Sequence, residues 1–173
     1  MRVKMVNKNI MAKEKNPRLL PIELYRAIMD VAPIPTVEVI LFNKTKNKTL
    51  LFRRINEPLR GTYYAVGGGL LKGETLVDCA IRQVKRELGL VVDKAKLVLG
   101  GVQEEIFPNS IFPNISYHAV NTYHGYLLED ENIPLSLDKQ HSDYKWFPVD
   151  DVTLHPFMKT KLKNLLKIYG QEV

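Results

Sequence analysis

The chain has 173 residues, 45% of them hydrophobic, which suits one soluble domain with a sizeable core. No stretch approaches the roughly 18 continuous apolar residues of a membrane span, and the charged opening MRVKMVNKNIMAKEKNPR lacks the apolar centre of a secretory signal. The net charge of +6 can attract phosphorylated ligands, but no RNA- or DNA-binding signature accompanies it, so no nucleic-acid partner is expected.

Residues 1–19 read as a flexible basic tail, with Met11 a possible alternative start, and residues 20–170 as a single domain. Pro21–Ala32 places Ile22, Tyr25, Ile28 and Met29 on one helical face, and this helix should end before Pro33. Strands are predicted at 36–43 and 49–54, joined as a hairpin through the polar run Lys44–Lys48. A loop with Pro58 leads to a short strand at 63–66, which runs into the triple glycine Gly67–Gly69. Residues 74–88 carry Leu76, Val77, Ala80, Ile81, Val84 and Leu88 at helical spacing, with Gly89 a suitable stop. Further strands are expected at about 96–107, 116–128 and 143–147, with a long loop over 109–114. Tyr144, Trp146 and Phe147 are read as core residues. A last amphipathic helix covers about 156–169, and its Lys159, Lys161, Lys163 and Lys167 read as a solvated face. The single cysteine, Cys79, lies on the apolar side of its helix and reads as a buried structural thiol, consistent with a reducing cytoplasm. Strands interleaved with three helices indicate an α/β sandwich.

The glycine run entering a helix is the chemically informative stretch. Glycine lets main-chain groups approach a ligand, and the first amides of a helix favour an anion. The segment Gly68–Leu90, GGLLKGETLVDCAIRQVKRELGL, carries Gly68, Glu74, Arg82, Val84, Glu87, Gly89 and Leu90 at the spacing of the Nudix box. The chain therefore resembles the Nudix hydrolases, which implies an α/β/α sandwich around a mixed sheet. It departs from the box at two positions, where Gln83 and Arg86 stand in place of glutamates. Gln83 and Glu87 are four residues apart and share a helical face, with Arg86 three residues on from Gln83. In ordinary Nudix enzymes that face is a fan of carboxylates binding Mg²⁺, and here one acid of the fan, Glu87, remains. Attack on phosphorus supported by several metals is hard to run on such a face. Glu74 and Arg82 read as an ion pair bracing the loop against the helix.

The GDP-mannose mannosyl hydrolases are a Nudix subgroup that departs from the box at these same positions. The segments Arg53–Gly68, RRINEPLRGTYYAVGG, and Asp138–Trp146, DKQHSDYKW, are also similar to segments of that subgroup. The resemblance implies cleavage of a nucleotide sugar at the sugar C1 with inversion, water replacing GDP, as in an inverting glycosidase with a diphosphate leaving group. It further implies Mg²⁺ held by Glu87, Gln140 and the Gly67 carbonyl, and His141 as the general base. Arg54 would steady the departing GDP, with Arg82 and Arg53 as further substrate contacts. Glu38 takes the place of an acid that contacts the sugar, although a partnered structural acid is an equal reading. A homodimer is implied too. Several departures weaken the claim on mannose and guanine: Val66 before the glycines, Gly69 in place of an arginine, Glu38 in place of an aspartate, and a different loop over 108–114. The alternatives are a conventional pyrophosphatase drawing metal ligands from Glu104, Glu105 or Asp143, and a non-catalytic nucleotide-binding domain. Whether His118 or His124 lines the site is left open.

Overall fold

The computed structural model describes residues 20–171, so the expected basic tail lies outside the described residues. In chain order the elements are α1 (Ile22–Val31), β1 (Ile34–Phe42), β2 (Lys48–Arg54), β3 (Tyr63–Tyr64), β4 (Val66–Gly69), α2 (Leu76–Leu88), β5 (Val98–Phe107), β6 (Tyr117–Leu127), β7 (His141–Pro148) and α3 (Pro156–Ile168). The strands form one mixed seven-stranded sheet in the order β3-β2-β1-β6-β5, with β4 also pairing β1 and β7 pairing β2. β1 runs parallel to β6 along its whole length and antiparallel to β4 and β2 on its other edge. The α/β sandwich around a mixed sheet expected from the sequence is the observed architecture.

The period-two alternation of β1 assigns its residues to two cores. Val37, Val39 and Leu41 face α2 and pack with Cys79, Ala80, Val84 and Leu88. Ile40 and Phe42 face α3 and pack with Met158, Leu162, Leu165 and Leu166. Each fully buried leucine or phenylalanine here is worth about 1.5–3 kcal/mol of apolar transfer, so these two faces hold the helices on the sheet. Glu38 lies on the α3 face by the same alternation. A third, smaller cluster joins α1 to the sheet through Met29, Ile34 and Ile115, with Tyr25 and Tyr117 packed against it.

Element boundaries moved where local hydrogen bonding decides them. β1 begins at Ile34, ahead of the expected Thr36, because the Pro35 carbonyl accepts from Leu70 N and extends the pairing toward β4. α2 begins at Leu76, not Glu74: the Thr75 hydroxyl accepts from Asp78 N as the N-cap, and Gly89 ends the helix in the left-handed conformation. β7 begins at His141, two residues earlier than predicted, because β2 pairs with it as far as Arg54 across a bulge.

Two burial expectations are corrected. Lys161 is fully buried rather than part of a solvated face, whereas Lys159, Lys163 and Lys167 are exposed as expected. Tyr144 is 43% exposed and lies against Phe52 at the sheet surface, while Phe147 is buried. Cys79 is buried, as its helical position indicated.

Candidate active site

A cleft of about 630 Å³ opens beside the glycine strand β4, bordered by α2, the 54–59 loop and one face of α1. Its polar arm is set by how β4 meets α2. A Cβ on Gly67 would come within 2.4 Å of the Val37 carbonyl, and one on Gly68 within 2.5 Å of Gln83 Nε2. Glycine is thus required at position 67, where the obstacle is backbone, whereas at 68 a side chain would displace the end of Gln83.

Glu87, on the last turn of α2, lies buried just behind this arm's wall, with its side chain 2% exposed and bonded to two residues of that wall. Its Oε1 accepts from Arg86 Nη2 at 2.6 Å and its Oε2 from the Gly67 amide at 3.3 Å. Burial is the largest influence on this acid, and it pushes the carboxyl up to about 7 against the opposing pull of Arg86. Gln83, one turn earlier on the same face, is buried, and its Oε1 has no hydrogen-bond partner. Three residues of one helix face therefore crowd one point: an acid, an unpartnered amide oxygen and an arginine.

The segment before β7 closes the arm from the other side. Asp138 N donates to the Glu87 carbonyl and Ser136 N to the Leu88 carbonyl, which fastens this segment to the C-terminal end of α2. Gln140 lines the cleft, and its Nε2 donates to Asp138 Oδ2 at 3.1 Å, leaving its amide oxygen as the free end. His141 Nδ1 is 3.1 Å from Asp138 Oδ1. Its Nε2 is unpartnered and 3.9 Å from Glu87 Oε2. Burial lowers the His141 pKa below 6.5 more than Asp138 raises it, so the ring is neutral near pH 7. An acceptor carboxylate on Nδ1 fixes the tautomer that leaves Nε2 as a base. The ring is buried behind Glu87 against Phe52 rather than open to the cleft.

Arg54 and Arg82 both line the cleft. Arg54 Nε donates to the Pro58 carbonyl at 2.9 Å. Arg82 is held to Glu74 through two contacts, Nε–Oε1 at 2.5 Å and Nη2–Oε2 at 2.7 Å, and also donates to the Gly69 carbonyl. That is the bracing role expected from the sequence, since Glu74 also accepts from Leu71 N and so ties the glycine loop to α2. Arg53 is placed elsewhere: it is exposed and donates to the Gly61 carbonyl at 3.4 Å, on the other side of β2 from the cleft. Strand alternation sends neighbours 53 and 54 to opposite faces, which explains the difference.

Glu38 borders the cleft but is bound to Lys161 Nζ at 2.6 Å. The acids considered for a conventional pyrophosphatase do not gather at Glu87. Glu104 is exposed and pairs with His118 at 2.9 Å, and Asp143 accepts from Tyr63 at 2.6 Å on the outer surface. Glu105 is buried against Lys161 and Tyr64. His118 and His124 do not border the cleft; His124 is buried within β6. Two residues of the site were not singled out from the sequence. Asp138 stands three residues before His141, a spacing that is visible but common. Arg86 was noted only as a neutralising neighbour of Glu87, and the structure places it on the cleft wall.

The donors around Glu87 fit a single hard divalent cation. Among the described residues no three His, Cys, Asp or Glu side chains converge as a metal cluster. One carboxylate, amide oxygens and a main-chain carbonyl remain, and Mg²⁺ is held in this way when substrate phosphates and waters complete its shell. In an extended strand a residue's carbonyl projects to the same edge as its N–H, so Gly67 offers its oxygen to the side where its amide meets Glu87. The unpartnered Gln83 Oε1 stands at the same place.

The family model of the NUDIX domain matches residues 32–167. The chain is 34% identical over 154 residues to the low-salt glycan biosynthesis protein Agl8 of Haloferax volcanii, covering 88% of this chain and 94% of that one. It is 38% identical over 66 residues to the ADP-ribose pyrophosphatase of Methanocaldococcus jannaschii, covering 38% of each chain. Among solved structures, the NUDIX domain of Shewanella oneidensis NrtR, complexed with ADP ribose, superposes with a TM-score of 0.61 at 20% identity, covering 87% of this chain and 99% of that one. The extent of these matches, together with a glycine strand and helix that place Glu87 and Arg82 as the box spacing requires, makes the chain a member of the NUDIX hydrolase family.

Proposed function

We propose that the protein hydrolyses a nucleotide sugar at the sugar C1 with inversion, most simply GDP-mannose to GDP and mannose, using one Mg²⁺. The observation that carries this reading is the composition of the cleft around Glu87: one carboxylate, two amide side chains and an adjacent neutral imidazole, where attack on phosphorus supported by several metals needs a fan of acids. NUDIX hydrolases typically use divalent cations, and the similarity to a glycan biosynthesis protein supports a glycosyl substrate.

In this reading Glu87, Gln140 and the Gly67 carbonyl hold the cation, which supplies charge neutralisation on the leaving diphosphate. Arg54 lines the cleft with a guanidinium group that binds the same oxygens, with Arg82 and Arg86 lesser contacts because Glu74 and Glu87 already engage them. His141 takes the proton of the attacking water at Nε2, while Asp138 holds Nδ1 and stabilises the imidazolium as it forms. The ring is buried behind Glu87, so binding must open the 138–141 segment enough to admit that water.

Hydrolysis in ¹⁸O-labelled water tests the bond that breaks. Label in the released sugar, with unlabelled GDP, is expected. Label in phosphate, with a sugar phosphate and a nucleoside monophosphate as products, overturns the proposal. A second reading, pyrophosphate cleavage of an ADP-ribose-like substrate, draws on the similarity to the Methanocaldococcus enzyme. Glu104 and Asp143 face away from the cleft, and Glu105, which borders it, is already bound by Lys161 and Tyr64, so that reading lacks free acids beside Glu87.

A further inference from the structure

Arg82 and Arg86 leave the same helix for the same cleft, yet they are held to very different degrees. Arg82 makes two contacts to Glu74 and a third to the Gly69 carbonyl, so its guanidinium is committed to the glycine loop. Among the described residues, Arg86 makes a single side-chain hydrogen bond, from Nη2 to Glu87 Oε1 at 2.6 Å. Its side chain is 42% exposed. A guanidinium has five N–H donors, so four of them remain available to another anion.

That one contact does not follow from helical geometry. Successive residues of an α-helix point about 100° apart and do not face each other, so Arg86 must fold back along its own turn to reach its neighbour. Charge draws it there. The Glu87 carboxylate is buried, and among the described residues Arg86 is the only lysine or arginine paired with it. The other oxygen, Oε2, accepts from the Gly67 amide at 3.3 Å.

Position makes the contact consequential. Arg86 and Gly67 line the cleft, whereas Glu87 lies behind them. A cation entering from the cleft therefore reaches the carboxylate past the guanidinium. Two positive groups on one carboxylate repel each other strongly where burial keeps water from screening them. The ion must displace Arg86 from Oε1 unless an anion comes to lie between the two. A diphosphate is such an anion: some of its oxygens coordinate a hard cation while others accept paired N–H bonds from a guanidinium. Arg86 already stands on the wall that such a group would meet.

We propose that Arg86 is a resident competitor of the metal ion, which holds the Glu87 carboxylate until a diphosphate arrives and then passes to that diphosphate, so that cation and nucleotide enter as a pair. This rests on the reading of Glu87 as a cation ligand. The coupling is reciprocal by linkage: the ion strengthens nucleotide binding by the factor by which the nucleotide strengthens ion binding. Arg86 thereby selects ligands that carry a diphosphate, because a bare cation meets a rival charge and a nucleoside offers that charge no new partner.

Mn²⁺ is the probe, since it accepts the same oxygen donors as Mg²⁺ and its free aquo signal in electron paramagnetic resonance reports binding without turnover. The full-length protein is titrated under argon at about pH 8.5, above the Glu87 value of about 7, so that the carboxyl is ionised. Titrations are run alone, with GDP and with guanosine, and Mn²⁺ held by free GDP is measured separately. Wild-type protein should bind Mn²⁺ weakly alone and about 50-fold more tightly with GDP, whereas guanosine should leave the affinity within about twofold. Arg86→Met should bind the ion alone about 10-fold more tightly than wild type, and its GDP effect should be about 10-fold smaller. A second measurement needs no variant: the Arg86 ¹⁵Nε resonance of the wild-type protein should move further with Mg²⁺ and GDP together than with either alone.

If Arg86→Met binds Mn²⁺ alone no better than wild type, or keeps the full GDP effect, the arginine braces the acid instead of opposing the ion, and the proposal is overturned. A resonance that stays in place under all three additions overturns it as well. Glu87→Gln separates this outcome from failure of the site itself. Mn²⁺ binding unchanged by that substitution would remove Glu87 from the cation and defeat both readings. Binding that depends on Glu87 but is indifferent to Arg86 would defeat this one alone.

Discussion

The helices α2 and α3 press on opposite faces of the same strand, yet they handle buried polarity in opposite ways. On the α2 side, polar atoms are left incomplete: Gln83 Oε1 and His141 Nε2 have no partners, and both stand around Glu87. On the α3 side, Lys161 spends all three hydrogens on Glu38, Glu105 and Tyr64. Unsatisfied buried groups cost stability and survive where a ligand completes them; satisfied ones hold a geometry. The contrast separates a face where the neighbours of a buried acid stay open from one where a lysine fixes two carboxylates, although Asn121 Oδ1 on that second face is also unpartnered.

The largest effect expected from breaking this contrast lies on the reactive side. His141→Gln should lower turnover by about 10²–10⁴ in a variant whose circular dichroism spectrum remains that of the folded protein. Turnover within twofold of wild type would remove the imidazole from the reaction. On the bracing side the signs reverse. Lys161→Met should cost about 3–5 kcal/mol of stability, measured by urea unfolding, because it strands two buried acids. Lys163→Met, on the exposed face of the same helix, should stay within about 0.5 kcal/mol. Equal effects at the two positions would contradict the burial difference between them.

Asp138 sharpens the comparison further. The His141 pKa is lowered from 6.5, so the acid limb of the rate profile should fall below that value, with activity lost as pH drops and the ring protonates. Asp138 opposes this lowering, so Asp138→Asn should move the limb to still lower pH and reduce the plateau by about 10- to 100-fold through loss of ring orientation. A limb that moves upward would overturn the contact. The smallest effect belongs to the Glu74–Arg82 brace. The hydrogen bonds from Arg82 hold the Glu74 carboxyl below its ordinary 4.5. A depressed carboxyl pKa stabilises the fold above the unfolded value, and that contribution is lost as pH falls through the folded one. Glu74→Gln should therefore cost about 1–2 kcal/mol at neutral pH and flatten the loss of stability below pH 4.5.

Most of the architecture was legible in the sequence, because the apolar spacing of α2 and the alternation of β1 are strong local signals. So was the shared face of Gln83 and Glu87, which follows from helical geometry alone. Lys161 was missed although a signal existed. It falls three residues after Met158 and four before Leu165, on the apolar stripe of α3, but three neighbouring lysines drew the reading toward solvent. Glu38, an acid inside an apolar strand, was the matching half of that signal. Its partner lies 123 residues away, and only the packing of α3 on β1 brings the two together. Arg53 went astray for a different reason: a motif aligned in sequence does not say which of two adjacent strand residues faces the ligand.

Cys79 offers a consequence of its own. Its thiol lies beneath the glycine strand, near the Gly68 and Gly69 carbonyls, and burial pushes its pKa up to about 12. In the closed protein it should be inert toward alkylating reagents, since the reactive thiolate is scarce and enclosed. Each labelling event then reports an excursion in which the glycine strand lifts from its helix, so that a native side chain becomes a clock for how often the wall of the cleft opens.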